Sequence, residues 1–223
     1  MIEIATSLLD IKRENIVKEV YAIETAKTDY FHIDVMDGKF VKNNNIELMM
    51  EYAEYINNIS NVPMEVHLMV DDIQSFVKAY LPMNPSTIMF HLEACNKKDE
   101  DIKVIQMIKD AGVKVGICIS PNTPVDAIYD YLPFLNRVLV MTVEPGKGGQ
   151  KLLTKQIKKI EFLSRYIYEN DYEAILEADG GINADNAKQL INAGCEILVS
   201  GHYIVSSKDY KKAIAKLREA DKK

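Results

Sequence analysis

Eight times along the chain, a short run rich in β-branched and aromatic residues is followed by a stretch whose apolar positions recur at helical spacing. This alternation constrains the fold more than any other feature, because strands joined through helices pair in parallel and are covered on both faces. Strands are predicted at Ile2–Leu8, Tyr30–Met36, Met64–Val70, Thr87–Leu92, Lys114–Ile119, Val138–Val143, Ala174–Ala178 and Glu196–Ser200. Between them the spacing predicts helices over roughly Glu14–Ala26, Ile46–Ile56, a short piece from Asp71-Asp72, Asp101–Lys109, a brief helix after Thr123-Pro124, Thr154–Glu169, Ala184–Asn192 and Lys208–Glu219. The boundaries have their own chemistry: Asp71 and Asp72 suit a helix N-terminus, Pro124 an early helical position, and Gly112 and Gly194 a stop. Eight units of about 28 residues match an α/β fold of the (β/α)8 TIM-barrel kind better than an open, doubly wound sheet. No Ser-, Gly- or Pro-rich linker interrupts the pattern, so residues 1–223 are expected to form a single domain, with Asp221-Lys222-Lys223 as a short solvated tail.

Charge and cysteine usage exclude several classes of function. A formal net charge of −6 argues against nucleic-acid or anionic-membrane binding, which relies on concentrated Lys and Arg. An anionic substrate would need a local site. Cys95, Cys118 and Cys195 are odd in number and far apart, which fits neither a disulfide framework nor a thiolate zinc site. A reducing cytoplasm is the expected compartment. The first residues lack the basic and apolar regions of a signal peptide, and no apolar run reaches the ~20 residues that cross a bilayer.

The segment Tyr30-Phe31-His32-Ile33-Asp34-Val35-Met36-Asp37-Gly38 reads as a buried strand that also carries ionisable groups. Alternation along a strand puts His32, Asp34 and Met36 on one face and Phe31, Ile33 and Val35 on the other. The second face is plain core. The first sets an imidazole beside a carboxylate, which suits either a hydrogen-bonded core histidine or a metal ion. Function in such a barrel sits at the C-terminal ends of the strands. There the chain places Ser7, His32 with Asp34 and Met36, His67 with Met69, Met141, and Asp179. Two imidazoles and two carboxylates from three strands make a divalent-metal site with nitrogen and oxygen ligands, which is harder to read as structural than one buried histidine.

A second cluster, Glu144-Pro145-Gly146-Lys147-Gly148-Gly149-Gln150, follows the sixth strand. Glycines there permit positive φ, so backbone N–H groups can converge on an anion. Gly180-Gly181 and Gly201-His202 follow the next two strands, where barrels commonly hold phosphate. A single Gly-rich loop is usually only a turn. Three in succession point to a phosphorylated ligand and reconcile an acidic chain with an anionic substrate.

His32-Ile33-Asp34-Val35-Met36-Asp37-Gly38, Glu65-Val66-His67-Leu68-Met69-Val70, Met141-Thr142-Val143-Glu144-Pro145-Gly146 with Gly148-Gly149-Gln150, and Glu177-Ala178-Asp179-Gly180-Gly181-Ile182 resemble the signatures of the ribulose-phosphate 3-epimerase family, in order from Ser7 to Ile204. The resemblance implies interconversion of ribulose 5-phosphate and xylulose 5-phosphate with one divalent metal ion, zinc, iron, manganese or cobalt. By motif, the metal ligands would be His32, Asp34, His67 and Asp179, with Asp34 and Asp179 also the catalytic proton-transfer groups. Substrate would meet Ser7, His67, Met36, Met69 and Met141, and its phosphate Gly146, Gly148, Gly149, Gly180, Gly181, Gly201 and His202. Phe90-His91-Leu92-Glu93-Ala94 also matches a family segment and is read as supporting the site, not ligating the metal. A homo-oligomer is the expected assembly.

The chemistry of the residues agrees with these roles. Inverting a carbon beside a ketone requires removal of a proton from one face and its return to the other, hence two acid/base groups. A metal on the substrate oxygens would stabilise the enediolate, and methionines would offer a dry wall. Thr6, Lys42, Lys147 and His202-Tyr203 depart from the family pattern and bear on which sugar is accepted. The alternatives are therefore allulose 6-phosphate 3-epimerase chemistry and a non-catalytic phosphosugar-binding barrel. A decarboxylase of the Asp-x-Lys-x-x-Asp type fits poorly, since Met36 stands two residues after Asp34.

Overall fold

Parallel strands pair in chain order until the last meets the first. The computed structural model describes residues 2–95 and 99–220, with strands β1 Glu3–Ser7, β2 Tyr30–Met36, β3 Met64–Met69, β4 Thr87–His91, β5 Lys114–Ile119, β6 Arg137–Met141, β7 Ile175–Asp179 and β8 Ile197–Val199. They close into a barrel in which β8 pairs with β1. The expected tail Asp221-Lys222-Lys223 lies outside the described residues. Outside the barrel run α1 Ile16–Thr25, α2 Ile46–Ile59, α3 Ile73–Tyr80, α4 Glu100–Asp110, α5 Lys155–Glu169, α6 Ala187–Asn192, α7 His202–Val205 and α8 Tyr210–Glu219.

The core has two shells, divided by the strand pleat. Phe31, Ile33 and Val35 of β2 face outward with Val66, Leu68, Ile88 and Phe90, and meet helix stripes such as Ile16, Val20 and Ile23 of α1. Each such side chain taken fully out of water contributes roughly 1.5–3 kcal/mol. The inner shell is smaller: Ala5, Met89, Cys118, Leu139, Met141, Val143, Ile197 and Val199. It is small because charged groups occupy the remaining interior positions.

Helix ends follow their local chemistry. Asp72 caps α3 by accepting from the Ser75 N–H, and Asp209 caps α8 by accepting from Lys212 at 3.0 Å. That cap starts α8 at Tyr210, two residues later than the predicted Lys208. The brief helix predicted after Pro124 is a run of 3₁₀ turns, Val125–Phe134, in which Pro133 removes a donor that an α-helix would use.

Candidate active site

Strand register brings the unusual residues together. His32 lies opposite Glu65, Asp34 opposite His67, and Met141 opposite Asp179. Inside the barrel mouth the His67 Nδ1 atom is 3.0 Å from Asp34 Oδ1 and 3.8 Å from Asp179 Oδ2. His32 Nε2 is 3.3 Å from Asp34 Oδ1 and 3.4 Å from His67 Nδ1. Metal–ligand bonds of about 2.0–2.2 Å at tetrahedral angles set neighbouring donor atoms about 3.3–3.6 Å apart. The spacing of these four donors, two imidazole and two carboxylate, therefore fits a divalent cation, and the four lie within 4.8 Å of one another.

Beneath this cluster lies a buried charge network with no counterpart in the sequence expectations. Glu65 Oε1 meets His32 Nδ1 at 2.7 Å, which leaves His32 Nε2 free to face the other donors. Arg137 Nη1 donates to Glu65 and, at 3.0 Å, to Glu177 Oε2, while its guanidinium stacks over the Tyr30 ring. Gly116 makes room for it: a Cβ there would stand 2.5 Å from Met89 Cγ and 3.3 Å from Arg137 Cβ. The sequence pattern starts strand six at Val138, whereas β6 begins one residue earlier, at Arg137. A usable signal existed for the acids. Glu65 and Glu177 stand two residues before His67 and Asp179 and so share their inward face.

Among the described residues two other groups have metal-like spacing, His32 with Glu65 and Glu177, and His67 with His91 and Cys118. In the first, Arg137 already engages both carboxylates. In the second, His91 is bonded to His67 through Nε2 at 3.0 Å and to Glu93 through Nδ1 at 3.0 Å. Both are accounted for by protein partners.

Electrostatics divide the two mouth carboxylates. Burial, then the charge of Asp34, pushes Asp179 up to about 7. Burial also raises Asp34, but the charge and hydrogen bond of His32, and then those of His67, outweigh it and hold the carboxyl far below its usual range. Burial draws His67 down to about 4 against the opposing pull of Asp34. One site thus holds a carboxylate that resists protonation opposite one that accepts it readily.

From this cluster a cavity of about 610 Å³ runs under the loops after β6, β7 and β8. Ser7, Asp34, Met69, Met141 and Asp179 line one end, and Gly146, Gly148, Gly149, Gly180, Gly181, Gly201 and His202 the other. Gly149 and Gly181 hold φ of 68° and 67°. At Gly181 a Cβ would lie 2.5 Å from Gln150 O and Leu152 N, so only glycine allows the two loops to touch. Gln150 Nε2 ties its own loop by donating to Glu144 O and Lys147 O. His202 Nδ1 meets Asp10 Oδ2 at 2.9 Å, and Asp10, unremarked in the sequence, also lines the cavity.

Two predicted substrate-contact residues, His67 and Met36, do not line it, and neither does the predicted metal ligand His32. His32 and His67 are fully buried below its floor. Met36 is buried, and its backbone N–H donates to Asn45 Oδ1 at 2.8 Å in the loop that follows the strand.

The profile of the Ribulose-phosphate 3 epimerase family matches residues 3–205. The chain belongs to the ribulose-phosphate 3-epimerase family. A family relative named ribulose-phosphate 3-epimerase in Methanocaldococcus jannaschii is 39% identical, covering 99% of this chain and 91% of that protein. One of the same name in Bacillus subtilis is 36% identical over 98% and 99% of the two chains. Membership makes the chain an isomerase of the epimerase type, in carbohydrate metabolism. More distant solved structures share the fold alone: KGPDC from Streptococcus mutans, 11% identical with a TM-score of 0.74 over 100% of this chain and 98% of that one, and 3-hexulose-6-phosphate synthase from Salmonella typhimurium, 13% identical with a TM-score of 0.72 over 99% and 98%. Among the described residues no helix is long and apolar enough to cross a membrane.

Proposed function

We propose that the chain inverts C3 of ribulose 5-phosphate to give xylulose 5-phosphate, with Asp34 and Asp179 as the two proton-transfer groups. The observation that carries this reading is the pair of carboxylates on β2 and β7, both lining one cavity and both within reach of two buried imidazoles. The names of the relatives support the substrate.

His32, Asp34, His67 and Asp179 would hold one divalent ion, which when bound supplies positive charge next to the ketone. The rest is done by the chain. One carboxylate takes the C3 proton while the other returns a proton to the opposite face, and their roles exchange in the reverse direction. Ser7 Oγ donates to Asp34 Oδ2 at 2.6 Å and so aims that carboxylate. Met69 and Met141 exclude water without offering a competing proton. Backbone N–H groups of the glycine loops bind the phosphate, with His202 beside them.

A hexulose phosphate is the second reading, left open because Lys147 and His202, which depart from the family pattern, both line the loop end of the cavity. The test is a side-by-side assay of ribulose 5-phosphate and allulose 6-phosphate, after exhaustive chelation and after return of zinc, iron, manganese or cobalt. Turnover of the pentulose is expected to vanish on chelation and return with metal. Preference for the hexulose would replace the substrate, full activity of metal-free protein would remove the ion, and no turnover of either sugar would leave a binding protein.

A further inference from the structure

A line of hydrogen-bonding groups leaves the active site through His67 and ends on a carboxylate that takes no part in the reaction proposed above. His67 Nε2 is 3.0 Å from His91 Nε2, and His91 Nδ1 is 3.0 Å from Glu93 Oε2. Both imidazoles are fully buried. The far oxygen of Glu93 is committed elsewhere, since Oε1 accepts from the Ser120 N–H at 2.7 Å and from the Thr123 hydroxyl. Lys159 Nζ fastens that loop by donating to the carbonyls of Ser120, Pro121 and Thr123 at 2.9, 3.1 and 2.7 Å.

We propose that Glu93 is a positioning residue that sets the tautomer of His67 through His91, leaving His67 Nδ1 free of a proton and available to the metal. The proposal rests on the metal reading of the site and deepens it. Two neutral imidazoles joined Nε2 to Nε2 have two arrangements with the same number of protons. In one, His91 Nδ1–H donates to Glu93, and His67 Nε2–H donates to the lone pair of His91 Nε2. His67 Nδ1 then presents a lone pair beside Asp34, Asp179 and His32 Nε2. In the other, His67 Nδ1–H donates to Asp34 Oδ1, 3.0 Å away, and His91 Nε2–H donates to His67. That arrangement turns a bare His91 Nδ1 toward the carboxylate oxygen of Glu93, two acceptors 3.0 Å apart, and leaves it only the Ser120 hydroxyl, 3.3 Å away, as a donor. Asp34 and Glu93 therefore draw the same protons toward opposite ends of the line, and Glu93 favours the metal-ready arrangement. Ligating histidines generally need such a partner on their second nitrogen. His32 has Glu65 in direct contact, whereas His67 reaches its carboxylate through another imidazole.

Glu93→Gln makes a sharp test, because the side chain cannot rotate freely. Its oxygen must stay on the Ser120 N–H and the Thr123 hydroxyl, which leaves the amide N–H₂ facing His91 Nδ1. A donor now stands where an acceptor stood, and the favoured arrangement inverts, placing a proton on His67 Nδ1. The readouts are the tautomers of the protein's four histidines by long-range ¹H–¹⁵N correlation in ¹⁵N-histidine-labelled protein, and zinc affinity by competition with a chromophoric chelator. Metal-free wild type is expected to carry protons on His91 Nδ1 and His67 Nε2. Metal-free Glu93→Gln is expected to carry them on His91 Nε2 and His67 Nδ1, with zinc affinity lower by roughly 10–100-fold. Thr123→Val, which loosens the loop without changing the oxygen that faces His91, should keep the wild-type tautomers. Unchanged tautomers and affinity in Glu93→Gln overturn the relay and leave the metal site standing. A wild type that binds no divalent ion overturns the metal reading and the relay with it. If Glu93→Gln does not fold, metal-free wild type decides alone, and a proton on His91 Nε2 refutes the proposal.

Discussion

The two ends of the cavity are made of different material. At the β2, β3 and β7 end, side chains on strands do the work, and each is braced by another buried group: His32 by Glu65, Glu65 by Arg137, Asp34 by Ser7. At the other end the backbone of three glycine-bearing loops lines the cavity, and the polar side chains there include an exposed one, His202 at 67%. The first end places atoms to within hydrogen-bond distances because pleat and register leave no freedom. The second achieves close approach by having no side chains. The difference implies that the first end governs turnover and stability and the second mainly governs affinity.

The largest expected effect would break that division most visibly if it failed. Asp34→Asn and Asp179→Asn should each lower turnover by roughly 10³-fold or more while leaving the circular dichroism unchanged. Near wild-type turnover in both would end the two-carboxylate mechanism. Next, Arg137→Met strips the countercharge from Glu65 and Glu177, both fully buried, and should cost about 3–5 kcal/mol in denaturant unfolding. Loss of less than about 1 kcal/mol would mean that those acids are held by something other than Arg137. At the loop end, Gly149→Ala meets no close neighbour but must hold a φ of 68°, a strain of about 1–2 kcal/mol. KM is expected to rise about five- to tenfold with kcat nearly constant, and an equal fall in kcat would blur the two regions into one. The smallest effect belongs to His202→Gln, which removes an exposed ion pair with Asp10 of the kind worth about 0.2–1 kcal/mol. A KM change of no more than about fivefold, with metal affinity untouched, would sharpen the boundary between the ends.

Legibility in the sequence follows the same division by distance along the chain. Alternation within Tyr30–Met36 is enough to say that His32 and Asp34 share a face, and the strand ends bring His67 and Asp179 to the same rim. Glycine in three successive loops announces the loop end. What could not be read was partnership across the barrel. Arg137 lies 72 residues from Glu65 and 40 from Glu177, and Asp10 lies 192 from His202. Alternation sets Met36 on the face of His32 and Asp34, yet it is absent from the cavity lining that Met69 and Met141 share.

The chain's own pattern therefore determined the barrel, its eight strands and the chemistry gathered at its mouth, because pleat, capping and turn preferences act between residues close in sequence. Tertiary structure decided which interior charges neutralise one another, which nitrogen of each histidine faces the site, and which methionine sees the cavity. Those depend on how far each strand is shifted against its neighbour when the barrel closes, a geometry set by the packing of the entire ring at once.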